Sequence, residues 1–246
     1  MKLAAQTQGA GAPLVIAHGL FGSGRNWGVV AKRLADIREV TTVDMRNHGD
    51  SPWRDDHSYE AMADDLAEVV GDRPADVMGH SMGGKAAMVL ALRRPDLVRR
   101  LVVVDIAAVA YEHSQMELVE AMRATDLTGI ERRSEAAERM PVDDPQVKAF
   151  LLQSLDAANR CWKLNLDVFA RQMDAITGWP GTDGRFDGPA LLIRGEASDY
   201  APDERLEETR RLFPRLEVVT VQGAGHWVHA EKPREVEAAV RSFLDT

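Results

Sequence analysis

The stretch that most constrains this chain is Gly79-His80-Ser81-Met82-Gly83, set between a short apolar run over 75–78 and a helix-forming run over 85–94. A G-x-S-x-G pentapeptide between a strand and a helix dictates a sharp turn. The turn holds its serine in a strained backbone conformation, with the hydroxyl above the sheet edge. Strand and helix nearly touch across the turn, so the positions two before and two after the serine must be tiny. Gly79 and Gly83 meet that demand, and Gly84 adds room. At ordinary glycine and serine usage the pattern arises by chance in about one chain in twelve of this length. Its meaning therefore rests on the rest of the sequence, within which Ser81 is a candidate nucleophile.

Around this turn, apolar runs alternate with amphipathic ones. Leu14-Val15-Ile16-Ala17, 40–43, 75–78, Leu101-Val102-Val103-Val104, 190–193 and 216–221 are short and continuously apolar or β-branched. Such runs suit strands buried on both faces of a parallel sheet. Helical patterns cover 27–35 with Asn26 as N-cap, 59–70 capped by Ser58, the run after the turn up to Pro95, 203–212, and 233–244 with Pro233 in its first turn. The alternation predicts an α/β protein with a mostly parallel central sheet and helices on both faces. From 110 to 186 the rhythm breaks into amphipathic helical pattern without convincing strands, Trp162-Lys163-Leu164-Asn165-Leu166 being the ambiguous piece. That stretch reads as an inserted all-helical cap over the carboxyl edge of the sheet. The expected organisation is a catalytic domain from 1–109 and 187–246, with a cap at 110–186. Ligands bind outside the carboxyl ends of the strands in such sheets, and every glycine-rich turn here follows a strand.

Charge narrows the partners. A formal net charge of −9 argues against nucleic acid or an anionic membrane. No run approaches the ~20 apolar residues of a membrane span, and the N-terminal residues turn polar at Gln6, too soon for a signal-peptide core. The single cysteine, Cys161, excludes an internal disulfide and a cysteine metal cluster and suits a reducing compartment. The expectation is a cytoplasmic protein with Cys161 buried as a small hydrophobe.

Two further segments give the serine company. His226 lies in Gly223-Ala224-Gly225-His226-Trp227, directly after a strand, where a loop imidazole can reach the serine and shuttle its proton. His18-Gly19-Leu20-Phe21 follows the first buried strand, where a backbone N–H can meet a developing oxyanion together with the N–H of Met82. Leu20 is the expected donor and Phe21 the fallback; the His18 side chain reads as structural. The acid has two candidates: Asp105, ending the strand after the nucleophile helix, and Asp199, in Gly195-Glu196-Ala197-Ser198-Asp199 after the following strand. Other residues read more plainly. His229 lacks the cysteine or carboxylate spacing of a metal site and suits packing. Lys85, opening the helix after the turn, has two readings, a place near the site or a solvated helix face, and the second is favoured. Arg46, Asn47 and His48 suit a hydrogen-bonded turn supporting the rim. Trp162, Trp179, Met116, Met122 and Met173 in the cap suit core packing, with the lining of an apolar ligand pocket as the other use of some of them. No metal and no cofactor are expected.

Together these stretches resemble the α/β-hydrolase fold and, within it, the bacterial YbfF-type esterases. The resemblance is carried by His18-Gly19-Leu20-Phe21-Gly22-Ser23, by Asp44-x-Arg46-Asn47-His48-Gly49-x-Ser51-Pro52, and by Gly79-His80-Ser81-Met82-Gly83-Gly84-Lys85-Ala86. It continues in Val104-Asp105-Ile106-Ala107 and in the run from Gly223 through His226 to Pro233, and it thins to fragments in the cap. It implies cofactor-free hydrolysis of small acyl esters or acyl thioesters by Ser81 and His226, with the acid at Asp105 and an auxiliary serine at Ser198. Many members of the fold keep the acid in a Gly-x-x-Asp turn; that register puts Ser198 in the slot and Asp199 one residue late, which favours Asp105. A C–C bond hydrolase or lyase with the same Ser/His/Asp site is the nearer alternative, and a non-catalytic ligand-binding protein the more distant one. Acyl length, leaving group and oligomeric state have no signature in the sequence.

Overall fold

The computed structural model describes residues 1–245. The chain begins with β1 (Ala5–Gln8) and β2 (Ala12–Ala17), then α1 (Gly28–Leu34), β3 (Arg38–Val43), α2 (Tyr59–Val70), β4 (Ala75–His80), α3 (Met82–Arg93) and β5 (Val98–Val104). An excursion follows, with α4 (Met116–Ala124), α5 (Arg133–Arg139), α6 (Pro145–Leu151), β6 (Leu155–Asp156), β7 (Cys161–Trp162), α7 (Leu166–Arg171) and α8 (Met173–Thr177). The chain returns through β8 (Ala190–Gly195), α9 (Asp203–Leu212), β9 (Leu216–Val221), α10 (Val228–Glu231) and α11 (Pro233–Leu244).

The sheet has seven strands in the order β1-β3-β2-β4-β5-β8-β9, parallel except for β1, which pairs antiparallel with β3. The apolar runs of the sequence become its interior: all of β4 is buried, as are the last four residues of both β2 and β5. One apolar layer joins α2 and α3 to a face of the sheet through residues such as Leu66, Met88 and Leu101. Trp27, Leu34, Ile16, Val102 and Phe243 fill the opposite face under α1 and α11. Both faces are covered, as a parallel sheet requires. Among the described residues, no helix is long and apolar enough to cross a membrane.

Three local expectations change. The edge strand β1, with the sequence Ala5-Gln6-Thr7-Gln8, is exposed along its whole length and carries no apolar signal. Asn26 does not cap the first helix; its Oδ1 accepts the Ser23 N–H at 2.6 Å, and a 3-10 turn over Gly24–Trp27 precedes α1. The excursion after β5 is not purely helical, because β6 and β7 form a two-residue antiparallel ribbon. It has its own apolar cluster, with Met122, Trp162, Phe169 and Met173 packed together and Phe21 inserted from the loop after β2. Cys161 in that ribbon is exposed rather than buried: side chains alternate along a strand, and Trp162 takes the inward place.

Candidate active site

Register aligns the strand ends on which the site is built. His80 pairs with Val104, and Val104 with Ile193, so the next residues along β4 and β5, Ser81 and Asp105, leave neighbouring strands side by side. The Ser81 N–H donates to the Val104 carbonyl at 3.0 Å, and the Asp105 N–H donates to the Ile193 carbonyl at 2.8 Å. Both residues have left-handed backbones, with φ of 50° at Ser81 and 53° at Asp105. A non-glycine residue held there costs about 1–3 kcal/mol and persists only where its surroundings impose it. The glycines explain how the turn closes. A Cβ on Gly79 would lie 2.1 Å from the Gly83 carbonyl oxygen, and one on Gly83 would lie 2.4 Å from the His18 carbonyl oxygen. α3 then starts at Met82, three residues before the helix-forming run read from sequence.

Asp105 is fully buried. Its carboxylate takes three donors: His226 Nδ1 on Oδ2 at 2.7 Å, the Gly195 N–H on Oδ1 at 2.9 Å, and the Ser198 hydroxyl, also on Oδ2. Three donors fix its rotamer and satisfy a charge that would otherwise be costly to bury. Asp199, one residue along, is exposed in the turn. The structure thus brings Asp105, Ser198 and His226 together and leaves Asp199 outside.

His226 is also held by two residues absent from the sequence-level candidates. The Tyr200 ring stacks on its imidazole with centroids 3.7 Å apart and planes 18° from parallel. His80 Nε2 donates to the His226 carbonyl at 2.9 Å. His80 is buried, and burial, reinforced by His229 and His226 nearby, holds its pKa well below the usual imidazole value. His229 packs in the core against Trp27, ring centroids 4.3 Å apart.

Ser81, Met82, Leu20, Phe21 and His226 line one cavity of about 380 Å³, walled on the side of the excursion by Leu118, Val147, Phe150 and Ile176. The Phe21 N–H is already committed, donating to His48 Nε2 at 3.2 Å. Of the two donors expected in the loop after β2, that leaves the Leu20 N–H. None of Trp162, Met122 or Met173 reaches this cavity; all three are buried in the excursion's own cluster.

Lys85 takes the less favoured of its two readings. It is 1% exposed and lines the cavity instead of solvating a helix face. Its Nζ donates to the carbonyls of Thr177 at 2.9 Å and Gly178 at 2.5 Å, and lies 4.7 Å from the Tyr111 ring centroid. Burial, with a smaller push from Arg205, lowers its pKa to about 7. The turn after β3 does support the rim: Arg46 Nε donates to Asp65 at 2.6 Å, and its other nitrogens donate to the Asp56 and Ala61 carbonyls. Among the described residues, no group of three or more His, Cys, Asp or Glu side chains is arranged to hold a metal ion.

Comparison with known proteins agrees with this architecture. A family model described as alpha/beta hydrolase fold matches residues 12–233. The chain is 42% identical over 246 residues to sn-1-specific diacylglycerol lipase ABHD11 of Mus musculus, covering 94% of this chain and 80% of that protein. It is 38% identical over 247 residues to Esterase YbfF of Escherichia coli K12, covering 98% and 96%. A solved structure titled marine microorganism esterase superposes with a TM-score of 0.93 at 36% identity, covering 98% of this chain and 99% of that one.

Proposed function

Because the chain belongs to the α/β-hydrolase family and is, like these relatives, a carboxylic ester hydrolase of the esterase and lipase type, we propose that it cleaves small acyl esters or acyl thioesters through an acyl-enzyme on Ser81. The observation that carries this reading is the His226–Asp105 contact of 2.7 Å beside a serine held in a left-handed turn on the same cavity.

The Ser81 Oγ attacks the acyl carbon while its proton passes to His226 Nε2. Asp105 holds the Nδ1–H of the ring, which selects the tautomer with Nε2 free and stabilises the imidazolium that forms. The oxyanion lies on the N–H groups of Leu20 and Met82, donors fixed before the reaction begins. Collapse expels the alcohol or thiol, which takes the proton from His226. Water then attacks the acyl-enzyme, giving its proton to His226, and the carboxylic acid leaves with Ser81 restored. Ser198 does no proton transfer in this scheme; its hydroxyl keeps the Asp105 oxygen aimed at His226. The excursion over 110–186 acts as the cap that shapes the acyl pocket. A cytoplasmic setting is supported by a single, exposed, unpaired cysteine.

Labelling with a fluorophosphonate probe tests the reading directly. We expect the native protein to react at Ser81 and to release p-nitrophenol from short acyl esters. Ser81→Ala should abolish both. An unlabelled Ser81, or a Ser81→Ala variant with native turnover, would remove the basis for the mechanism. Labelling without ester turnover would favour cleavage at carbon by the same three residues.

A further inference from the structure

The Leu20 N–H belongs to a peptide unit whose opposite end is tied down. In a trans peptide the N–H and the preceding C=O point in opposite directions, and no cis bond occurs among the described residues. The Gly19 carbonyl shares its plane with the Leu20 N–H. It accepts a hydrogen bond from His18 Nδ1 at 2.7 Å and another from the Gly22 N–H at 3.0 Å. The next peptide is held too, since the Phe21 N–H donates to His48 Nε2 at 3.2 Å.

Both imidazoles are fixed at their second nitrogen. His18 Nε2 accepts from the Met45 N–H at 2.9 Å, and His48 Nδ1 donates to the Arg46 carbonyl at 2.8 Å. A backbone N–H can only donate and a carbonyl can only accept. Each ring is therefore the neutral Nδ1–H tautomer, assigned by its partners. Burial pushes both rings below the ordinary imidazole range, which keeps them neutral around pH 7. Their centroids lie 4.9 Å apart, edge to face.

We propose that His18 and His48 are positioning residues that set the Gly19-Leu20-Phe21 backbone by opposite hydrogen-bonding roles, one donating and one accepting, so that the Leu20 N–H faces the cavity at Ser81. The inference rests on the reading of Leu20 as oxyanion donor. Neither ring lines the cavity, and their exposures are 1% and 0%, so both act through the backbone they hold. The strain falls where such a device would place it: Phe21 is left-handed, with φ 64°. The space is tight as well. A Cβ on Gly22 would lie 3.0 Å from the Gly19 carbonyl oxygen and 3.1 Å from His18 Nδ1, and one on Gly19 would lie 3.2 Å from the Ser81 Cβ. An oxyanion donor contributes most when it need not reorganise during the reaction, and two rigid, neutral, buried rings remove that need.

The test separates positioning from simple core filling. His18→Leu and His48→Leu keep bulk and remove the hydrogen bonds. His18→Asn puts an amide N–H near the place of Nδ1, and His48→Gln puts a carbonyl near the place of Nε2. Each variant is assayed for kcat and KM on p-nitrophenyl butyrate and for Ki with an aryl trifluoromethyl ketone. That ketone forms a bond from its carbonyl carbon to Ser81 Oγ, with the serine proton passing to His226, and presents a tetrahedral oxyanion. We expect the leucine variants to lose roughly ten- to a hundredfold in kcat. Their KM should hold within about twofold, and Ki should weaken in step with kcat/KM, since both report transition-state binding. The matched amides should recover most of the loss.

Leucine variants that keep native kcat and Ki per folded molecule, or that lose kcat with Ki unchanged, would overturn the proposal. If they do not fold, the swapped amides His18→Gln and His48→Asn decide it. Activity below that of the matched pair supports positioning, and equal activity overturns it. Native turnover in Ser81→Ala would instead defeat the reading of the site itself, so the two failures are distinguishable.

Discussion

Asp105 and Asp199 are the same side chain in two environments. One is fully buried with three donors on its oxygens, and the other is exposed in a turn. Only the first can hold an imidazole in one tautomer. Asp105→Asn should therefore lower kcat by about 10³–10⁴-fold, while Asp199→Asn should stay within about a factor of two, as exposed substitutions do. Steady-state kinetics on one ester measure both, and the reverse ranking would move the acid to the turn. Much of the candidate site could be read from local spacing, because Ser81, Asp105 and His226 each follow a strand. What could not be read depends on partners distant in the chain. Tyr200 stacks on His226, and His48 takes the Phe21 N–H across 27 positions. No sequence window holds both members of either pair. Lys85 favours a solvated face in sequence for a related reason: a charged residue on a helix signals solvent, and the Thr177 and Gly178 carbonyls that cover it are distant in the chain.

α3 links two parts of the molecule through its first turn. Its N-terminus follows Ser81, and Lys85 one turn later donates to the carbonyls that end α8 and follow it, at Thr177 and Gly178. The folded protein releases the Lys85 proton near pH 7, while an unfolded chain holds it to about 10.5. Between those values the unfolded state binds the extra proton, so stability from this group rises with pH. Lys85→Met removes that slope. Urea unfolding at pH 7, 8 and 9 should show the native protein gaining on the variant as pH rises, and a constant difference would refute the assignment. Elements followed their signals unevenly. Strands buried on both faces announce themselves by composition, and Ser58 caps α2 as read, accepting the Ala61 N–H. β1 has no buried face to leave a period, and β6 and β7 at two residues each are too short to show one.

At the scale of the molecule, the proposed reaction makes the cavity beside Ser81 the limit on acyl size. Its volume of about 380 Å³ lies at the low end for ligand sites. Each methylene buried against Leu118, Val147, Phe150 and Ile176 contributes about 0.8 kcal/mol, or about fourfold in kcat/KM. A panel of p-nitrophenyl esters should climb by about that factor per carbon until the cavity is full, then level or fall. A flat profile would place the acyl chain elsewhere. The walls that set this limit come from the excursion between β5 and β8, and those two strands are hydrogen-bonded neighbours with Val104 beside Ile193. The two strands are parallel, so the chain leaves the sheet after Val104 at its carboxyl edge and rejoins it at Ala190, beside Leu101, nearer the amino edge. Because β5 and β8 pair along their own length, a longer, shorter or unrelated insert can ride on that crossover without moving a strand. Chimeras that graft another protein's insert here would keep the hydrolytic machinery and inherit a new diet, provided that something still meets Lys85 and encloses Phe21.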